Sequence, residues 1–268
     1  MAFWGKSFIF DGYPCEDFDL MIYDIGSSAQ GASEFASTAS IVDESLPSKW
    51  KPIFYGVKFD SKLCFTIVFG VNQHRIDDQN YLDRYEIDTI ATWLTGHQQY
   101  KWLAVEQDDM TFVRYKCIFT SLECVEYGRI PWAMKAEVTC DSPYAYMYPH
   151  EYQYTLNGTA KSITFFNESS INGYYRPIIE YSTSSGGNLE IINNTDNGRI
   201  FKFTGLSSAS QQITIDNENC VITSSADTNI YDKFNYNFFR LKRGYNQLQI
   251  TGNGTLKILC EFPINVGG

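Results

Sequence analysis

Histidine is scarce in this chain: three in 268 residues, at positions 74, 97 and 150. No His-x-x-x-His or His-Glu-x-x-His spacing occurs, so no paired-imidazole metal site is spelled out, and each histidine lies beside a turn or boundary where a surface or interface position is expected. Cys-x-x-Cys is missing altogether. The seven cysteines (15, 64, 117, 124, 140, 220 and 260) are odd in number and dispersed, which excludes a zinc knuckle or disulfide framework and points to reduced, mostly buried thiols. Basic clusters are missing too. With a formal charge of −10 and "LKRG" (241–244) as the densest basic spot, the chain is not built to neutralise nucleic-acid phosphates.

Long apolar runs are absent, none approaching the roughly 20 residues needed to cross a bilayer. The start "MAFWGKSFIFDGYPCEDF" has neither the basic region nor the continuous apolar stretch of a secretory leader, so the expectation is a soluble chain made in a cytoplasm. The Asn-x-Ser/Thr sequons at Asn157, Asn167, Asn193 and Asn253 then read as by-products of an Asn-rich region.

Nucleophile chemistry is equally hard to place. There is no Gly-x-Ser-x-Gly elbow, and Cys117 and Cys140 fall on apolar strand faces where a thiol is an inert hydrophobe. "SSGGN" (184–188) and "TGNGT" (251–255) lack the lysine of a phosphate loop and read as turns. The acidic pairs Asp77–Asp78 and Asp108–Asp109 sit in predicted turns, where aspartate is favoured for backbone reasons. No catalytic, metal or cofactor-binding residue is expected.

What is present divides the chain in two. Residues 1–150 contain two asparagines and all five tryptophans, whereas 151–268 contain fifteen asparagines. Charge divides similarly, with 12 basic and 21 acidic residues before position 151 and 9 and 10 after it. Domains of 1–145 and 146–268 are expected, joined through "KAEVTCDSPYAYMYP" (135–149), which reads as a strand end and linker.

In the first part "PIFYGVKF" (52–59) and "LCFTIVFGV" (63–71) flank a "DSK" turn and predict a hairpin with one buried face. "DRYEIDTIATWLTG" (83–96) predicts the one main helix, with Asp83 and Glu86 as a capping box, Ile87, Ile90, Ala91 and Leu94 on one face, and Gly96 at the end. Strands are predicted over 100–106, 111–127 and 132–140, with Cys140 facing inward. "SSAQGASEFASTAS" (27–40) has no period and predicts a loop or arm.

The second part reads as an antiparallel β-sandwich. Four Asn-Gly pairs (157, 172, 197 and 253) predict tight turns among ten short strand-like runs, "NFFRL" (237–241) included. The fold class is therefore mainly β, with an α+β first domain. Among the aromatics, Tyr174, Tyr175, Tyr231 and Tyr236 are candidates for sugar stacking or for a core or interface role, the second being favoured.

The serial order of these features resembles the distal tail proteins of long-tailed phages that infect Gram-positive bacteria. The resemblance is carried by "SFIFDGYPCEDFDLMIYDI", the 52–71 segment, the helix ending "TWLTG", "YKCIFTSLECVEY", "CDSPYAY" and "FRLKRGYNQLQITGNGTLKI". It covers nearly the whole chain. It implies a non-enzymatic virion protein, assembled in the bacterial cytoplasm and sited at the tail tip. The first domain would form a hexameric ring joining the tail tube protein to a tail-associated or hub protein and to baseplate or receptor-binding proteins. DNA would pass through the lumen without specific binding, and a galectin-like or carbohydrate-module-like sandwich would project outward. The alternative is a carbohydrate-binding module for host cell-wall recognition.

Overall fold

A computed structural model describes residues 5–25, 39–59, 62–72, 80–107, 110–207 and 210–266. It divides into two compact units, Met1–Tyr146 with Asn265–Gly268, and Met147–Ile264. The return of the last residues to the first unit is not visible in composition. Most of the expected 27–40 arm, together with His74 and both acidic pairs, lies outside the described residues.

The first unit runs β1 (Ser7–Phe10), β2 (Tyr13–Pro14), β3 (Leu20–Ile25), β4 (Ala39–Glu44), β5 (Ile53–Phe59), β6 (Cys64–Val71), α1 (Arg84–Thr95), β7 (Lys101–Glu106), β8 (Val113–Tyr127), β9 (Ile130–Cys140) and β10 (Ala145–Met147). Its main sheet has the order β2-β1-β7-β8-β9-β6-β3. The sheet curls back on itself, since Ile22 on the last strand donates its N–H to the Lys6 carbonyl beside β1 at 3.1 Å.

The alternation read from sequence is realised in β6, where Leu63, just before the strand, and Phe65, Ile67, Phe69 and Val71 are all buried, and in β9, where Met134, Ala136, Val138 and Cys140 are fully buried. Helix α1 forms as expected. Asp83 accepts from the Glu86 N–H and Glu86 accepts from the Asp83 N–H, both at 2.8 Å, and Ile90 and Leu94 face the core. Trp93 from the same helix lies 4.3 Å from the Phe18 ring and donates to the Phe10 carbonyl at 3.3 Å.

The expected 52–59/63–71 hairpin does not form. Strand β6 has both edges occupied, by β3 and by β9, leaving no backbone groups for β5. Strand β5 pairs instead with β4 in a separate two-stranded ribbon. None of its described side chains is buried, and Phe54, Tyr55 and Val57 are exposed.

The second unit adds β11 (His150–Asn157), β12 (Lys161–Asn167), β13 (Tyr174–Tyr175), β14 (Ile178–Thr183), β15 (Gly187–Asn193), β16 (Arg199–Leu206), β17 (Gln212–Asp216), β18 (Val221–Ser224), β19 (Leu241–Lys242), β20 (Gly244–Thr251), β21 (Asn253–Cys260) and β22 (Pro263–Ile264). A five-stranded sheet, β11-β21-β14-β17-β18, faces a four-stranded one, β12-β20-β15-β16. Ile179, Tyr181, Ile215 and Ile258 from one meet Phe165, Ile191, Phe203 and Ile250 from the other in one apolar core.

Two sequence expectations fail within it. "NFFRL" is not a strand until Leu241, because side-chain amides occupy its backbone: the Phe239 N–H donates to Asn217 Oδ1 at 2.8 Å, and Asn193 Nδ2 donates to the Arg240 carbonyl at 3.2 Å. Of the four Asn-Gly pairs only Asn197–Gly198 has positive φ at both residues, 55° and 69°. Asn253–Gly254 instead opens β21 after the chain has crossed between sheets at Gly252. The two-residue turns with both φ positive in the first unit are Asp11–Gly12, between β1 and β2, and Gly128–Arg129, between β8 and β9.

Candidate functional site

The second unit's polar constellation is built from loops that the sandwich holds in place. Asp196, 3% exposed, accepts from Arg240 Nε at 2.7 Å and from its Nη2 at 3.3 Å, and takes the Tyr174 hydroxyl at 2.9 Å. The guanidinium also lies 3.7 Å over the Tyr174 ring, and Lys242 Nζ donates to the adjoining Thr195 carbonyl. Burial acts to raise the Asp196 pKa, but the hydrogen bonds from Arg240 and Tyr174 and the charges of Arg240 and Lys242 outweigh it and hold the carboxyl below its usual range. Every group is partnered within the cluster, so its geometry braces loops.

The four tyrosines singled out by sequence have distinct surroundings. Tyr174 is engaged as above. Tyr175 packs on Phe262 at 5.0 Å and its oxygen accepts from the Glu261 N–H at 2.8 Å. The Tyr231 oxygen accepts from the Ile222 N–H at 2.8 Å, and its ring stacks 6.4 Å from Tyr236. Tyr236 is 63% exposed at a positive φ of 59°.

Cys15, Cys117, Cys140 and Cys260 are buried, and desolvation pushes all four pKa values up, to about 12 for Cys15 and Cys260. Among the described residues no three His, Cys, Asp or Glu side chains gather as metal ligands would. No described helix is long and apolar enough to cross a membrane.

The prominent surface features belong to the first unit and are apolar. One is the β4–β5 ribbon, on which Ile41, Val42, Phe54, Tyr55 and Val57 are all exposed and whose connecting segment carries Trp50, 95% exposed. The other is a cleft of about 560 Å³ lined by Tyr23, Val71, Asn80, Tyr127, Ile130 and Trp132. The β8–β9 turn makes one wall, and Leu82 donates its N–H to the Pro131 carbonyl at 2.8 Å, fixing the segment beside Asn80 against that turn. On the floor Tyr23 donates to the Val71 carbonyl at 2.6 Å and meets the Trp132 ring edge-on at 5.1 Å. Among the described residues no charged side chain lines the cleft, and the tyrosine, tryptophan, valine and isoleucine that do suit it to receiving an apolar group.

Residues 3–142 match the family model described as a phage tail protein N-terminal domain, and residues 144–260 match that of a phage tail C-terminal domain. The chain belongs to the phage tail protein family. A member of that family is a component of the virion tail. The phage tail protein also matches the crystal structure of the SPP1 Dit protein, described as a paradigm of the hub adsorption apparatus in phages infecting Gram-positive bacteria. That match has a TM-score of 0.68 at 12% identity and covers 96% of this chain and 98% of the other, so the two share a fold. Comparison with curated proteins returns no match. Sequence reasoning missed both the exposed ribbon and the cleft of the phage tail protein. The only advance sign of the ribbon was a Lys-Trp-Lys triplet (49–51) between two apolar runs.

Proposed function

We propose that this phage tail protein is a distal tail hub, a non-enzymatic subunit that closes into a ring of six at the tail tip. There it links the tail tube to baseplate or tail-associated proteins. The observation that carries the reading is the end-to-end fold match to the SPP1 Dit protein in a chain whose two parts both match phage tail families. An exposed apolar ribbon in the N-terminal unit supports it, because a contiguous apolar surface of that kind marks a place where another surface docks. The partners are further copies of this chain and the adjoining tail proteins.

An acidic passage fits the same role. Residues 1–150 carry 21 acidic and 12 basic side chains, a net −9, and like charge along the passage keeps DNA from adhering as it moves through. Native mass spectrometry tests the ring directly: six copies of the 30.7 kDa chain give 6 × 30.7, about 184 kDa. A monomer that binds cell-wall glycan would overturn the hub reading, and a ring with a predominantly basic lumen would overturn the charge argument.

A further inference from the structure

We infer that the Lys49–Trp50–Lys51 tip of the β4–β5 ribbon docks into the apolar cleft under Tyr127, Ile130 and Trp132 of a second copy of this chain, a contact that rests on the ring reading.

The ribbon needs an occupant for its faces. A two-stranded ribbon is marginal in water without further strands or a packed face, and among the described strands β4 and β5 pair only with each other. Ile41 and Val57 sit opposite one another, 67% and 49% exposed, with Phe54 and Tyr55 beside them at 63% and 61%. Trp50 at the tip is the most exposed large apolar side chain among the described residues, at 95%. Aromatic side chains bury about 150–250 Å² each, so Trp50, Phe54 and Tyr55 offer about 400 Å² in their exposed state. Ile41, Val42 and Val57 carry the total toward the ~800 Å² per partner of a specific interface.

The cleft is the complementary half. At about 560 Å³ it has room for an indole, its described lining is apolar and aromatic apart from Asn80, and that amide can accept from an indole N–H. The exposed charges near the cleft are of both signs, Glu126 and Asp83 with Arg129 and Arg84, so apolar area and shape carry the pairing, and the two exposed lysines beside the indole meet a first part whose net charge is acidic. A second copy fits because the ribbon and the cleft are different surfaces of one unit. Their contact is head-to-tail, the geometry that closes into rings and not into isologous dimers.

The test uses the full chain, with Trp50→Ala and Ile130→Arg made separately and sized by native mass spectrometry and light scattering. Both side chains are solvent-exposed, so unchanged far-ultraviolet circular dichroism and melting temperature are expected for the monomers. Each variant is expected to weaken self-association by roughly thirty-fold or more. Mixing them is expected to yield a one-to-one heterodimer, since one retains the ribbon tip and the other the cleft. A Trp50→Ala chain that assembles like the wild type would overturn the contact while leaving the ring reading intact. A wild-type chain that stays monomeric would overturn both. A lowered melting temperature for Ile130→Arg alone, with Trp50→Ala still assembled, would show the cleft to be filled by the same chain, again against the contact.

Discussion

At the scale of single residues, burial sorts the seven cysteines into two chemical classes. Cys64, Cys124 and Cys220 are exposed, whereas the other four are enclosed and their thiolates disfavoured by desolvation. A maleimide titration of the folded protein at pH 7.5 is therefore expected to modify three thiols, and one in denaturant all seven. Rapid modification of four or more in the native state would contradict the burial. Asp196 gives a pH dependence of definite sign. Its carboxyl titrates lower in the folded chain than in the unfolded one, so its contribution is present above the ordinary carboxylate pKa of about 4 and is lost as pH falls through the folded value. Asp196→Ala is expected to cost about 2–4 kcal/mol at pH 7, because Arg240 then loses its bidentate partner, and to narrow the gap from the wild type in acid. Gly254 is a third such position. Its φ is 142°, and an added Cβ would stand 2.0 Å from the Ser182 carbonyl oxygen, a backbone atom on the neighbouring strand. Gly254→Ala is expected to cost about 3 kcal/mol or more, or to yield insoluble protein.

At the scale of elements, α1 was legible because its instructions are local. A capping box, a 3.6-residue apolar period and a terminal glycine all lie within fourteen positions, 83–96. Asp83→Ala is expected to lower stability by about 1 kcal/mol, read as a shifted denaturant midpoint with an unchanged slope. The β4–β5 ribbon was not legible, because "PIFYGVKF" has the apolar content of a buried strand and nothing in it records whether a core lies against it. The asparagines were misread for a related reason. Their number marked a loop-rich second part, yet Asn193, Asn217 and Asn246 are buried and serve as substitutes for strand partners. Asn246, for example, accepts from the Lys242 N–H at 3.0 Å and donates back to the Lys242 carbonyl at 2.7 Å. An asparagine that shapes a turn and one that mimics a peptide bond look the same in a sequence.

At the scale of the whole molecule, the charge of −10 governs contact with nucleic acid. A gel-shift titration with duplex DNA at physiological salt is expected to show no retardation, since a net charge of −10 opposes approach to the phosphate backbone. Retardation would require a local cation cluster that the sequence lacks. The same acidity makes the two lysines beside Trp50 conspicuous and gives the ribbon tip a polarity opposite to that of the unit carrying it.

The sequence by itself determined the strand alternation, the capped helix, the inward placing of Cys117 and Cys140 and the kinship with phage tail proteins. These follow from short-range periodicity, from residue chemistry and from the serial order of features. Only the tertiary structure decided that β6 lies between β3 and β9, that β5 is left outside with Phe54 and Tyr55 in water, and that Tyr23, Val71, Asn80 and Trp132 come together as one cleft. The physical reason is that pairing and concavity depend on which backbone edges remain free after the core has formed, and those edges are settled between residues far apart in the chain.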